Sequence, residues 1–516
     1  MSMLADNPLT ALAVACGVAL VVKSHCATRK DGPPLPPGPT PLPMVGNVRG
    51  IDTDAPWLTY KAWGDTYGDL VYSSLFRQHI IILNSEQDAR TLLDQRSHIY
   101  SDRPELATNE LFGVSWNSVF MRYGPKWRMH RRLFHQAFRP DASLLYRPMQ
   151  LRKGHQLILD ILETPTQFLH HLQHHSSSII MSAAYGYETV SNDDPYVTII
   201  EKALAILLEY LTPQASAVIG AFPFLLHLPP WFPGMSIKKH AAESKKCTKQ
   251  WVESPFQYVE ESIAAGTATP SMASNYLRKF QGLGGSGPTT TDIKEVSATA
   301  FAAGSETTKS TLSLFIIAMI RHPDVQKRAQ FLIDSVVGTD RLPTFEDRPS
   351  LPYLDAIFRE VLRWYPVFPL ALPHATTQDD IYKGYHIPKG SMIIPNVWAM
   401  TRDEIRYPYA SEFRPERFLD DNGELTDDTV SFAWGFGRRI CVGRYLAEAS
   451  IWSAMALILA TFDLAKAKDS AGRDIEVELT SPPGVTISPR PFVCSITPRV
   501  PGMNSEKLAT LISLSS

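Results

Sequence analysis

The stretch WGFGRRICVGRYLAEAS, Trp434 to Ser450, constrains this chain more than any other. A single cysteine, Cys441, stands between Gly435, Gly437, Arg438 and Arg439 on one side and Gly443 on the other. From Arg444 the residues favour a helix: Leu446, Ala447, Glu448, Ala449, Ile451, Ala454, Met455 and Leu457. The pattern predicts a tight glycine loop that aims Cys441 at a helix N-terminus. Free N–H groups and the positive end of the helix dipole gather there. Both favour the thiolate, the form of cysteine that acts as ligand or nucleophile. A buried structural cysteine beside a glycine turn is the plainer alternative, and it leaves the neighbouring arginines unexplained.

The rest of the chain is large enough to bury such a loop. Of 516 residues, 44% are hydrophobic and 20% charged, an ordinary composition for a globular protein with a sizeable core. A net charge of −2 gives no sign of a nucleic-acid partner. The five cysteines, Cys16, Cys26, Cys247, Cys441 and Cys494, are odd in number, far apart and without a CxxC pair. That argues against a disulfide framework or a cysteine zinc site.

Leu9 to Val22 is uncharged and apolar, but as a helix it would reach only about 21 Å. Lys23, Arg29 and Lys30 follow it rather than precede it, the reverse of a cleavable signal. By the positive-inside rule this reads as a membrane anchor with a cytosolic body. PPLPPGPTPLP, Pro33 to Pro43, reads as a stiff extended spacer that holds the body away from the membrane. The expected organisation is an anchor and basic flank over 1–30, a proline-rich hinge over 31–47, a body over 48–500 and a tail over 501–516.

Leu70 to Leu75 and His79 to Leu83 read as a strand pair, with Asn84 capping a helix through Ala89 to Leu93. Periodic helical stretches then dominate to about Tyr365. Ile381 to Ile394 reads as a hairpin turning at Pro388, Lys389 and Gly390. The fold class is mainly α with small β-sheets, without internal repeats. GLGGSG, Gly282 to Gly287, fits G-x-G-x-x-G letter for letter. A dinucleotide fingerprint needs a strand before it and a helix opening from it. Here a helical MASNYLRKFQ precedes it and Pro288 follows, so it reads as a surface loop.

Three further stretches carry chemistry. In the apolar helical run Phe301 to Ile320, Gly304 costs about 1 kcal/mol relative to alanine. Glu306, Thr307 and Thr308 then place an acid and two hydroxyls in a stretch fit for burial, where unpartnered polar groups are costly. They are expected to face a cavity, with Gly304 opening space for a ligand; a solvated bend is the alternative. Glu360 and Arg363 lie at i, i+3 on one helical face. If Arg417 of FRPERF meets them, the three form a buried charge network holding the loop of Cys441. Trp127 and Arg131 lie at i, i+4, an aromatic N–H and a guanidinium suited to a carboxylate. Each of these faces, taken alone, is equally a solvated one.

Together these residues resemble the cytochrome P-450 family, the haem-thiolate monooxygenases, from the anchor to about Pro498. The cysteine loop is similar to F-x-x-G-x-R-x-C-x-G, with Trp434 in place of the usual phenylalanine and Val442 where proline is common. AGSETT, Ala303 to Thr308, resembles the oxygen-activation motif; Glu360 and Arg363 match ExxR, Arg417 the PERF arginine, and Trp127 with Arg131 WxxxR. His374 stands where a propionate-binding Arg or His is common. The wording of YSDRPE, FPFLLHLPPWFPG and GYHIPKG is most similar to fungal microsomal members.

The resemblance implies a single catalytic domain of the cytochrome P-450 fold binding haem b. Cys441 would be the axial thiolate on iron, and Trp127, Arg131, His374 and Arg439 would bind the propionates. Glu306 and Thr307 would deliver protons. Phe301, Ala302, Ala303, Val367, Phe368 and Val485 would wall a pocket for a lipophilic substrate. Nothing in the chain resembles a flavin or ferredoxin module, so NADPH electrons would arrive through a separate reductase, with cytochrome b5 as a further partner. Arg128, Arg132 and Arg438 would form a basic face for that reductase. Ala221 to Trp231, apolar and proline-rich, suits a loop dipping into the endoplasmic reticulum membrane. Secondary metabolism or xenobiotic oxidation is the implied role. A reductase-independent haem-thiolate isomerase, dehydratase or peroxygenase is the rival, disfavoured by the intact Glu306–Thr307 pair, and a non-enzymatic haem- or lipid-binding membrane protein is more distant.

Overall fold

Strand β1 (Leu70–Leu75) turns back on β2 (Gln78–Leu83), with Val71 opposite Ile82 and Tyr72 opposite Ile81. Helices α1 (Pro125–Phe138), α2 (Arg147–Glu163), α3 (Phe168–Tyr185), α4 (Ile237–Ala264), α5 (Thr290–Arg321) and α6 (Pro352–Trp364) follow. Then come short strands β3 (His374–Ala375), β4 (Asp380–Tyr382), β5 (Tyr385–Ile387) and β6 (Met392–Pro395). The chain closes with α7 (Arg444–Thr461), the pair β7 (Phe462–Lys466) and β8 (Cys494–Pro498), and α8 (Ser505–Leu514). The larger sheet has the order β1-β2-β6-β3, with β6 parallel to β2 and antiparallel to β3. This computed structural model describes residues 32–76, 78–190, 193–210, 213–232, 234–280, 287–482 and 484–515. The expected anchor, with its apolar run Leu9 to Val22, lies outside the described residues, as does GLGGSG apart from Gly287. Among the described residues no single helix is long and apolar enough to cross a membrane.

The core is organised around α5. A capping box opens it: the Thr289 hydroxyl accepts from the Asp292 N–H, and the Asp292 carboxylate accepts from the Thr289 N–H. Its C-terminal half, Leu312 to Ile320, is buried all round because α3, α6 and α7 pack beside it and share its apolar cluster. Burial of side chains such as Leu312, Phe315 and Met319 contributes roughly 1.5–3 kcal/mol each. Residue 304 sets how closely α5 approaches α3. A Cβ on Gly304 would lie 3.0 Å from Ile180 Cγ1. The glycine therefore serves helix–helix contact, and the expectation that it opens space for a ligand is corrected.

Local differences from the sequence reading have simple causes. The hairpin is β4–β5, turning at Lys383 and Gly384, both at positive φ; Pro388 to Gly390 instead connects it to β6 in the larger sheet. Ser85, not Asn84, caps the short helix Glu86–Ala89, while the Asn84 amide donates to Tyr60 O and accepts from Asn396. The proline-rich hinge is extended but docked rather than free. Pro37 O accepts from Tyr72 N–H at 2.8 Å, and a Cβ on Gly38 would collide with Tyr72 O at 1.9 Å. The expected tail contains α8, which inserts fully buried Leu508 into the main apolar cluster.

Candidate active site

The cysteine loop depends on glycine at two positions. Gly435 and Gly437 have φ of 85° and 52°, a region that suits residues without a Cβ. A Cβ on Gly437 would also lie 2.0 Å from Leu93 O. The loop returns so that the Cys441 N–H donates to Trp434 O at 2.8 Å. Gly443, the N-cap of α7, offers no side-chain cap, so the N–H groups of Gly443 and Arg444 face the Cys441 thiol. Burial pushes that thiol up, while these N–H groups and the nearby Arg131 and Arg444 guanidiniums pull it back. Arg131 Nη1 donates to Ile440 O at 2.6 Å, tying α1 to the loop.

Beside the loop is a concentration of buried cations. The Arg439 guanidinium lies 4.0 Å from the centroid of the buried Trp127 ring and donates to Ser101 O and Met121 O, each at 2.9 Å. Arg103 donates to Val119 O, Leu372 O and Pro373 O at 2.9, 2.8 and 2.7 Å. Buried His374 donates Nδ1–H to Tyr100 O at 2.7 Å, a bond to a carbonyl that requires the Nδ1–H tautomer. Burial, and then repulsion from Arg103, pulls Arg439 down to about 8. Burial brings Arg103 to about 10 against the opposing pull of Asp102, and burial with Arg103 and Arg439 drives His374 well below its ordinary value. Among the described residues no ion pair reaches Arg103, Arg131, His374 or Arg439. The neighbouring Asp102 carboxylate is taken by Arg122 at 2.7 Å. A surplus of cations without an anion, next to a thiol aimed at by free N–H groups, fits the two carboxylates and the iron of a haem.

Glu360, Arg363 and Arg417 are brought together behind this site. Arg363 Nε and Nη2 donate to the two Glu360 oxygens at 2.7 Å each, and Arg417 Nε lies 3.3 Å from Glu360. Both Glu360 and Arg363 are fully buried. The network bonds Thr401 O, Ala410 O, Glu412 O and Arg414 N–H. It thus holds the irregular segment before the cysteine loop rather than the loop itself.

On the α5 side, Thr307 Oγ1 donates to Ala303 O at 2.8 Å. Glu306 Oε1 accepts from Ser488 Oγ at 3.1 Å and Ser310 Oγ at 3.4 Å, and Lys309 Nζ lies 3.5 Å from Oε2. Ala302 is half-buried and Ala303 exposed, but Phe301 is fully buried among core side chains. Phe301 therefore does not line a cavity. Successive helical residues turn by about 100°, so three in a row cannot share one wall. Val367 O accepts from Ile487 N–H at 2.8 Å, which brings half-buried Val367 against the segment of Val485. Phe368 is also half-buried. Arg103 and Ser488 escaped the sequence reading. The only signal for Arg103 was its place in YSDRPE, and Ser488 stands in an irregular stretch with no pattern at all.

The family model described as cytochrome P450 matches residues 36–494. The chain belongs to the cytochrome P450 family. It is 39% identical over 497 residues to cytochrome P450 monooxygenase ple1 of Rhodocybe pseudopiperita, covering 95% of this chain and 94% of that protein. Cytochrome P450 monooxygenase 208 of Postia placenta is 38% identical over 500 residues, with 96% and 95% covered. Cytochrome P450 monooxygenase claR of Ampulloclitocybe clavipes is 37% identical over 517 residues, with 98% and 94% covered. The protein is a cytochrome P450 monooxygenase, mainly helical with small sheets. Membership implies a haem-thiolate centre and a redox partner.

Proposed function

We propose that this cytochrome P450 inserts one oxygen atom of O2 into a lipophilic organic substrate, with Cys441 as axial thiolate and NADPH electrons delivered through a separate reductase. One observation carries the reading: Cys441 faces the uncapped start of α7 beside buried cations that have no anion. When bound, haem supplies dioxygen activation and the oxidation itself. Trp127, Arg131, His374 and Arg439 bind its propionates, joined by Arg103, and Glu360, Arg363 and Arg417 brace the chain behind them. Thr307 orients its hydroxyl through Ala303 O, and Glu306, linked to Ser310, Ser488 and Lys309, supplies protons to it. Ala302, Ala303, Val367, Phe368 and Val485 bound the substrate space, which favours apolar molecules.

The partner and membrane assignments rest on surface chemistry. Arg128 and Arg438 are exposed and share the Tyr123 ring at 5.6 and 5.4 Å, with exposed Arg132 on the same helix as Arg128. This basic face suits an acidic reductase, and cytochrome b5 would use the same charge. Phe222, Phe224, Trp231 and Phe232 are exposed large apolar side chains, which suits contact with the endoplasmic reticulum membrane beside an N-terminal anchor. The relatives are fungal cytochrome P450 monooxygenases, and the role we propose for this chain is fungal secondary metabolism or xenobiotic oxidation. The test is the dithionite-reduced carbon monoxide difference spectrum beside Cys441→Ser. A strongly red-shifted Soret band, absent in the variant, is expected. A band at the position of histidine-ligated haem in folded protein would refute the assignment.

A further inference from the structure

A second buried cluster lies where α1 crosses the first turns of α5. His130 is fully buried; the Ser118 hydroxyl holds its Nδ1 at 2.7 Å, and its Nε2 has no hydrogen-bond partner. That Nε2 points between two carboxylates, 3.5 Å from Asp292 Oδ1 and 3.4 Å from Glu295 Oε2. Both acids are buried, at 9% and 8% exposure. Asp292 spends Oδ2 on the N–H and hydroxyl of Thr289, which leaves Oδ1 turned toward His130. Glu295 Oε2 also meets Lys126 Nζ at 2.7 Å, a half-exposed side chain on the rim.

One imidazole nitrogen and two carboxylate oxygens, all within 4.8 Å of one another, form the donor set of a zinc-type site with an open fourth position. Tetrahedral ligands held at about 2.0–2.2 Å from zinc stand roughly 3.3–3.5 Å apart. The two His130–carboxylate separations match that spacing. Buried polar atoms are rarely left without a partner, and an imidazole aimed between two acids invites a cation.

We propose that His130, Asp292 and Glu295 bind one zinc-class divalent cation, and that Lys126 is the tethered charge it displaces. Occupancy would staple α1 to α5. Ser118 links the staple to the active site, because its hydroxyl orients His130 while its carbonyl accepts from Arg439 at 3.4 Å. Ser118 is thus the outer-shell partner that fixes the ligand ring.

The test uses full-length holoenzyme, stripped with chelator and dialysed against zinc, with bound metal counted by elemental analysis. One zinc per chain is expected. Glu295→Gln and His130→Asn should lose it, Ser118→Ala should weaken it by about tenfold, and Lys126→Ala should tighten it. His170 and His174 lie one turn apart on α3 and would hold zinc in any adventitious binding, so the variant with alanine at both must keep the metal. The carbon monoxide spectrum shows that each variant is folded; if His130→Asn is not, Glu295→Gln and Lys126→Ala decide the matter. No zinc on the wild-type protein, or full stoichiometry in Glu295→Gln, overturns the proposal.

Discussion

Two clusters of buried charge, one behind the cysteine loop and one beside it, are built from the same kinds of residue and end differently. Around Glu360 a carboxylate answers the guanidiniums of Arg363 and Arg417. Arg363 uses all five of its N–H donors: Nε and one Nη2 hydrogen on the two Glu360 oxygens, the other Nη2 hydrogen on Glu412 O, and the two Nη1 hydrogens on Thr401 O and Ala410 O. Around Arg439 the donors find only neutral carbonyls, Arg103 and Arg131 add positive charge with no ion pair to answer it, and His374 is held neutral beside them. A closed network is a brace. An open one is a binding site whose counter-charge must come from elsewhere, because buried cations repel one another and lose hydration.

The largest expected effect separates the two at once. Glu360→Gln removes the carboxylate paired with the fully buried Arg363 guanidinium, and breaking such a pair costs about 3–5 kcal/mol. The variant should lose folded protein whether or not haem is supplied, measured by thermal unfolding and by yield of the carbon monoxide band. A folded variant with wild-type haem content would make the brace dispensable and erase the contrast.

Arg439→Gln should behave in the opposite way. The chain should stay folded by circular dichroism, since it loses repulsion along with three carbonyl contacts. Haem should pass to excess apomyoglobin at least about tenfold faster, the cost of roughly one charge-assisted contact. Unfolding without any change in haem transfer would move Arg439 into the structural class beside Arg363.

A smaller effect tests the α5 contact. Gly304→Ala puts a methyl 3.0 Å from Ile180 Cγ1, so α3 must give by a few tenths of an ångström. Overpacking of this kind costs about 1–3 kcal/mol. Adding Ile180→Val should recover part of the loss in thermal unfolding. If Gly304→Ala instead changes only substrate-induced spectral shifts, the glycine faces the ligand after all.

What could be read from the sequence was local. Cys441 three residues before α7, the glycines ahead of it and the i, i+3 pair Glu360–Arg363 are all set within a few residues, so spacing suffices to place them. Arg103 was not readable, because its partners are the carbonyls of residues 119, 372 and 373, distant in sequence and indistinguishable from any other peptide group. Gly304 was misread because an absent side chain opens space on whichever side the helix turns it, and the sequence does not say which helix lies there. Phe301 failed for a related reason: its apolar character suits a pocket and a core equally, and only the packing of α5 chooses. The Ile381–Ile394 segment carried two good turn signals, and long-range pairing of β6 with β2 decided between them.

A pH-dependent effect concerns a buried group that belongs to neither cluster. His175 on α3 is buried, with Nδ1–H donating to Lys153 O at 3.2 Å and Nε2 without a partner. Burial pulls it down to about 4, so it stays neutral in the fold while the unfolded chain takes up a proton below about 6.5. The unfolded state then binds more protons, and stability falls as pH drops from about 6.5 toward 4, by at most about 1.4 kcal/mol per pH unit from this residue. His175→Gln should flatten the fall across that window and leave stability at pH 8 less changed, as followed by denaturant unfolding at each pH. An unflattened slope would mean that His175 titrates freely, and that an orphaned buried nitrogen marks no more than a solvent path. A flattened slope with unchanged haem transfer would show that isolation alone makes a group costly. A site also needs several such groups facing one place, as Arg103, His374 and Arg439 do.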